Sequence, residues 1–177
     1  MKINKRFWVY CCNLLLLLPF IAHAKPYEMK TVTLFDNTLA INLPAEFVEM
    51  DKNIIAKKYP LSNKPITVYT NDNADVNFSF KKINRSLTPA DIPRIKEIMN
   101  NAYQQYKPTA TDLTIDNKQT VLFDFVTPST GTKIHNLMLF FPLKNETVII
   151  NFNVAKEVEE QWLRTGQLAL LTTKTLE

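Results

Sequence analysis

From residue 31 onward apolar side chains recur mainly at every second position, the period of a strand with one buried face. Thr31 to Phe35 and Thr38 to Leu43 read as two strands joined by Asp36-Asn37, a turn-forming pair that predicts a tight hairpin. Pro44 ends the second strand. Glu46 to Met50 and Asn53 to Tyr59 read as extended, Pro60 to Pro65 as a loop, and Ile66 to Thr70 as a strand. Asn71 to Asp75 is a polar turn. Val76 to Ile83 sets Val76, Phe78 and Phe80 against Asn77, Ser79 and Lys81, which predicts a half-buried strand.

The period then changes. Ile92, Ile95, Met99, Ala102, Tyr103 and Tyr106 recur at three- and four-residue steps, one face of a helix that ends before Pro108. Thr88-Pro89-Ala90-Asp91 supplies its start: a capping hydroxyl, a proline in the first turn and an acid three residues on. Pro93 is tolerable there because a first-turn proline forfeits no helical hydrogen bond. Leu113 to Ile115, Thr120 to Val126, Lys133 to Phe141 and Thr147 to Val154 read as four more strands. Leu137 to Phe141 is apolar throughout, so both faces of that strand are covered; Val121 to Val126 is similar apart from Asp124. Thr147 to Val154 reads as edge-like or one-sided, with Asn151 and Asn153 outward. The loop Thr127 to Thr132 stands proud between its strands. A second helix begins near Ala155, with Glu157, Glu159 and Glu160 where the helix dipole favours acids. Gly166 should weaken it by about 1 kcal/mol relative to Ala.

The order of strands, helix, strands, helix predicts an α+β fold, a mainly antiparallel sheet of about six to eight strands flanked by the mid-chain and C-terminal helices. The opening hairpin, the phrase Leu39-Ala40-Ile41-Asn42-Leu43-Pro44, the β-rich first half, the long hairpin and the final helix resemble the PsbP-like domain. Within it they resemble the DcrB-type bacterial periplasmic proteins. The resemblance covers most of residues 31–176. It departs after Pro44, where Ala45-Glu46-Phe47 stands in place of an aromatic Gly-Trp. It implies a binding or accessory role and carries over no catalytic residue.

Residues 1–24 have another purpose. Lys2, Lys5 and Arg6 precede an apolar run from Phe7 to Leu18, Pro19 breaks it, and Ala22-His23-Ala24 is a small-x-small cleavage site. The run is about a dozen residues, short of the ~20 that span a bilayer, so no stable membrane span is expected once the leader is removed. Bulky Trp8, Val9 and Tyr10 before Cys11 and Cys12 exclude a lipoprotein site. The expected organisation is a cleavable signal peptide over 1–24, a short tether over 25–30 and a single domain over 31–177, in the bacterial periplasm. Without the leader the net charge falls from +4 to +1, because three basic residues leave with it. A nucleic-acid footprint is therefore not expected. Both cysteines leave too, so no disulfide or Cys-bound zinc is expected.

Candidate chemistry is sparse. His135 is the single histidine left, with no second imidazole for a metal site and no evident nucleophile beside it. Asn71, Asn73, Asp75 and Asn77 alternate oxygens, but an EF-type loop would need Gly where Val76 stands and Glu where Lys82 stands. Asp116, Asp124 and Glu146 are the acids best placed for a carboxylate pair. Neither Gly131 nor Gly166 belongs to a phosphate-cradling loop. Lys57-Lys58 and Lys81-Lys82 read as lysines protecting strand edges. No cofactor is expected.

The expectation is a non-catalytic module acting on a protein partner in the cell envelope. Two roles fit: an immunity protein against an envelope-targeting type VI secretion toxin, or an accessory subunit of an envelope complex. Candidate contacts lie on three loops, since loops commonly carry function: Ser62, Asn63 and Lys64; Asn71, Asp72, Asn73 and Asp75; and Pro128, Ser129, Thr130 and Gly131. A small-molecule or lipid carrier is the alternative and would need an apolar cavity under Tyr103 and Trp162. A carboxylate-based cell-wall enzyme would need two convergent acids in one cleft.

Overall fold

The computed structural model describes residues 27–59 and 64–176. The expected leader and the candidates Ser62 and Asn63 lie outside the described residues. The chain runs β1 (Met29–Leu34), β2 (Leu39–Pro44), β3 (Val48–Glu49), α1 (Lys52–Lys58), β4 (Thr67–Thr70), β5 (Val76–Ile83) and α2 (Ile92–Ala102). It continues through β6 (Thr109–Ile115), β7 (Lys118–Ser129), β8 (Thr132–Leu143), β9 (Glu146–Ala155), α3 (Glu159–Leu171) and β10 (Lys174–Thr175). Short 3₁₀ turns lead into both α2 and α3.

The fold is α+β. Seven strands form an antiparallel sheet in the order β3-β4-β5-β9-β8-β7-β6, and β1-β2-β10 form a separate three-stranded sheet. On one face of the large sheet, Phe78, Phe80, Leu139, Phe141, Ile150 and Phe152 pack against α3 and the small sheet. On the other face, Val121, Phe123, Phe125 and Phe140 pack under α2 through Leu87, Ile92 and Met99. The strand period of two sends alternate residues of β7, β8 and β9 into these two layers. Phe123 and Phe152 are both fully buried, as the phasing of their strands requires.

Several expectations need correction. Asn53 to Tyr59 is not extended: Asp51 accepts a hydrogen bond from the Asn53 amide at 2.7 Å and caps α1. Lys57 and Lys58 therefore lie in the last turn of a helix, where the dipole favours cations. Lys81 and Lys82 do stand where β5 has one partner strand among the described residues: β4 pairs with it only as far as Phe80, and the two lysines pair with Ile149 and Val148 of β9. Lys82 also reaches Glu146 at 2.6 Å. Asn77 and Ser79 are buried, so β5 is covered on both faces through Phe80. β9 is no edge strand; it lies between β5 and β8. Its outward asparagines donate to neighbours, Asn151 to Ser79 and Asn153 to Asn136, while Asn151 Oδ1 is buried without a partner among the described residues. The tether expected over 25–30 is occupied by β1 from Met29, and Tyr27 stacks on Trp162. The first hairpin is wider than a two-residue turn: Phe35, Asp36 and Asn37 are all left-handed, and the Thr38 amide bonds back to Leu34.

Gly166 is not a weak point. It is buried, and a Cβ there would stand 2.4 Å from the Phe152 ring, inside any tolerable contact. The glycine lets α3 lie directly on β9.

Candidate functional site

Two of the three candidate loops meet at one end of the large sheet. β9 delivers the chain to the start of α3, with β5 entering on one side of it and β8 on the other. The Asn71–Asp75 turn precedes β5, and its Asp75 carbonyl accepts the Ala155 amide at 2.8 Å. The Thr130-Gly131 turn precedes β8, and the Thr132 hydroxyl reaches the Glu157 carboxylate at 2.7 Å. Both turns are thereby fastened to the residues that lead into α3.

The Asn71–Asp75 turn holds its own shape. Asn71 donates to Asp75 at 2.7 Å and accepts from the Val76 amide, while Ala74 takes the left-handed conformation that closes the turn. The Lys58 ammonium approaches the Ala74 carbonyl from α1 at 3.4 Å. With Glu46, Val158, Gln161 and Trp162, residues Asn71, Asp72, Asn73 and Asp75 line a cleft of about 310 Å³. Its charged lining residues, Glu46, Asp72 and Asp75, are all acidic. Its back wall is rigid: Trp162 stacks on Tyr27 at 4.1 Å and meets the Phe47 ring at a tilt at 5.2 Å, and Gln161 donates to the Tyr27 hydroxyl.

Lys64, the described candidate of the third loop, does not join them. Lys64 is exposed and precedes β4, whose Thr67 end pairs with Phe80, away from the Asn71–Asp75 turn. The loop expected from Thr127 to Thr132 is also smaller than its sequence indicates. Pro128 and Ser129 belong to β7, paired with Lys133 and Thr132 of β8, so Thr130 and Gly131 alone make the turn. Gly131 has φ +76°, which a residue with a Cβ rarely adopts. Asn77, the last of the alternating oxygens, bonds Tyr59 at 3.3 Å rather than joining Asn71 and Asp75.

A polar cluster beside this end escaped sequence reasoning. His135 Nε2 lies 2.7 Å from Asp124 Oδ1, and Nδ1 lies 3.1 Å from Glu159 Oε1. The second contact has ion-pair distance but not hydrogen-bond alignment. The ring thus joins β7, β8 and the first turn of α3. Lys156 binds Glu159 at 2.6 Å. That hydrogen bond, with His135 adding to it, holds the Glu159 carboxyl below the ordinary glutamate value. Thr132 does the same for Glu157. The one visible signal was Asp124, the charge interrupting an apolar strand. The three acids considered for carboxylate chemistry do not converge: Asp116 holds Lys118, Asp124 holds His135, and Glu146 holds Lys82. The space under Tyr103 and Trp162 is filled by Phe125 and Tyr106 in one case and by Tyr27 and Phe47 in the other.

No family model matches the chain, and no curated protein matches its sequence. Solved structures do match. The cyanobacterial PsbP of Synechocystis sp. PCC 6803 superposes with a TM-score of 0.56 over 87% of this chain and 96% of that protein, at 10% identity. The fold is PsbP-like. Other PsbP-like matches include the Saccharomyces cerevisiae Ran-binding protein Mog1p, with TM-score 0.52, 13% identity, and coverage of 84% of this chain and 95% of that one. LpqN of Mycobacterium tuberculosis, described as involved in cell envelope biogenesis, matches with TM-score 0.50, 8% identity, and coverage of 85% and 91%. At these identities the likeness establishes the PsbP-like fold and leaves function to the site. Among the described residues no helix is long and apolar enough to cross a membrane.

Proposed function

We propose that the protein is an exported, non-catalytic module that binds a protein partner in the bacterial envelope. Its leader ends at Ala24 and one folded unit follows. The observation that carries this reading is the convergence of the Asn71–Asp75 turn and the Thr130-Gly131 turn on the start of α3, beside a cleft whose charges are all acidic. Such a surface complements a partner segment bearing Lys or Arg, and charge complementarity favours fast, specific encounter. Short turns fixed to a sheet and a helix lose little freedom on binding. The same arrangement serves an immunity protein that covers a toxin or an accessory subunit that docks on an envelope assembly. The envelope role described for LpqN, on a PsbP-like fold, supports the compartment.

The test is cross-linking of the tagged protein in envelope extract, comparing wild type with an Asp72→Lys/Asp75→Lys variant and a variant whose Thr130-Gly131 turn is replaced by Asn-Gly. Loss of the same partner from the first variant, with thermal unfolding of both unchanged, supports the reading. Full retention by both folded variants refutes it.

A further inference from the structure

A second concavity lies on the opposite face of the large sheet, at the other end of β9 from the acidic cleft. Ile83, Ile95, Ile98, Met99 and Phe140 line a groove of about 240 Å³ between α2 and the sheet, with Thr147 at its base. Two of these residues are unusually open for their kind: Ile98 is 52% exposed and Ile83 37%. Isolated exposed isoleucines are ordinary, but these two border one groove whose floor is the buried pair Met99 and Phe140.

The rim is charged, and its charge is unbalanced. The Arg94 side chain makes no hydrogen bond or ion pair with any described residue. Arg85 meets Asp91 through one 3.3 Å contact and remains 62% exposed. Asp91 is occupied elsewhere, accepting from the Thr88 hydroxyl at 2.5 Å and the Thr88 amide at 3.0 Å. Those bonds hold its carboxyl below the ordinary aspartate value. Two guanidinium groups and one carboxylate therefore line the mouth of an apolar slot, an excess of one positive charge, with the carboxylate fixed by its cap on the turn into α2.

We propose that this groove binds a single-chain anionic amphiphile, its alkyl chain along Ile95, Ile98 and Phe140 and its head group between Arg94 and Arg85. The volume falls below the ~300–1,000 Å³ usual for drug-sized ligands, which suits one short chain and excludes a diacyl tail. The head group is a carboxylate or a phosphate; the guanidinium fork accepts either in bidentate fashion. The site is separate from the protein-binding surface proposed above, and either can fail alone.

The test uses the ¹⁵N-labelled chain titrated separately with decanoate, decyl phosphate and decyltrimethylammonium, each below its micelle concentration. Amide shifts from at least one anion should cluster on Ile83, on α2 from Arg94 to Met99, and on Thr147. The cation should bind at least about tenfold more weakly, a difference of ~1.4 kcal/mol. The tighter of the two anions identifies the head group. Arg94→Glu should reverse the preference between anion and cation, and Ile98→Asp should abolish binding of all three; both side chains are exposed, so folding should survive. The proposal is overturned if neither anion binds below about 1 mM, if anion and cation bind equally, if Arg94→Glu changes nothing, or if the shifts map elsewhere.

Discussion

Residue 166 has room for a hydrogen and little more. In an ordinary helix Gly→Ala would help by about 1 kcal/mol. Here the added methyl would enter the Phe152 ring, and overpacking of this kind typically costs ~1–3 kcal/mol. Gly166→Ala should therefore lower stability by about 1–2 kcal/mol, measured by urea unfolding. Trimming the opposing ring tests the cause. A Phe152→Leu/Gly166→Ala double variant should lose less than the sum of the two single losses, the mark of residues in direct contact. Additive losses would mean that the glycine is required for another reason. The residue was visible in the sequence but not its role, because helical propensity is local while the Phe152 ring arrives from β9.

Among elements, the run from Ala155 to Glu159 that leads into α3 ties several others together. It holds β8 through His135 and Glu159, the β7–β8 turn through Thr132 and Glu157, and the β4–β5 turn through Ala155. Glu157 and Glu159 are both held below their ordinary values, by Thr132 and by Lys156 respectively. The sign follows from linkage. The unfolded chain takes up protons first as pH falls, so this contribution is complete above the ordinary glutamate range and disappears as pH drops through it to the lower folded values. Asp91 and Asp116, lowered chiefly by Thr88 and Lys118, act in the same direction. The unfolding temperature should fall between pH 5 and pH 3, and Glu159→Gln should make that fall shallower. A midpoint that stays level or rises with acid would contradict the account. Element type was largely legible from period. α1 was not, because Ile54 and Ile55 read as strand formers while the deciding signal was the Asp51 cap. β9 was misplaced because its asparagines looked solvated, whereas their amide groups donate to neighbouring strands.

At the scale of the whole molecule, the sequence period accounts for the large sheet and its two flanking helices. Of the small sheet the β1–β2 hairpin was legible and the third strand was not. β10 is two residues long, too short for any period, and its partner lies near the start of the chain. The candidate surface was half legible for a related reason. Turn chemistry identified Asn71–Asp75 and the residues around Gly131, but their meeting depends on β9 lying between β5 and β8. The proposed export makes a separate prediction: protein recovered from the bacterial envelope should begin at Lys25 on N-terminal sequencing. Recovery with residues 1–24 still attached would remove the compartment from the proposal.

The pairing of β10 with β2 also sets an order of events. β1 and β2 can zip together as soon as their hairpin exists, yet β2 then presents an open row of backbone groups. Its native cover comes from the far end of the chain: Lys174 and Thr175 pair with Ala40 and Leu39, and the Thr172 hydroxyl accepts the Asn42 amide at 2.8 Å. Until those residues arrive, β2 is a free template for any passing strand, the usual route to aggregation. Closing so long a loop is slow. A nascent chain emerging residue by residue would therefore pass through a vulnerable interval, and a chaperone that shields extended segments would be most useful between the completion of β2 and the arrival of Thr175.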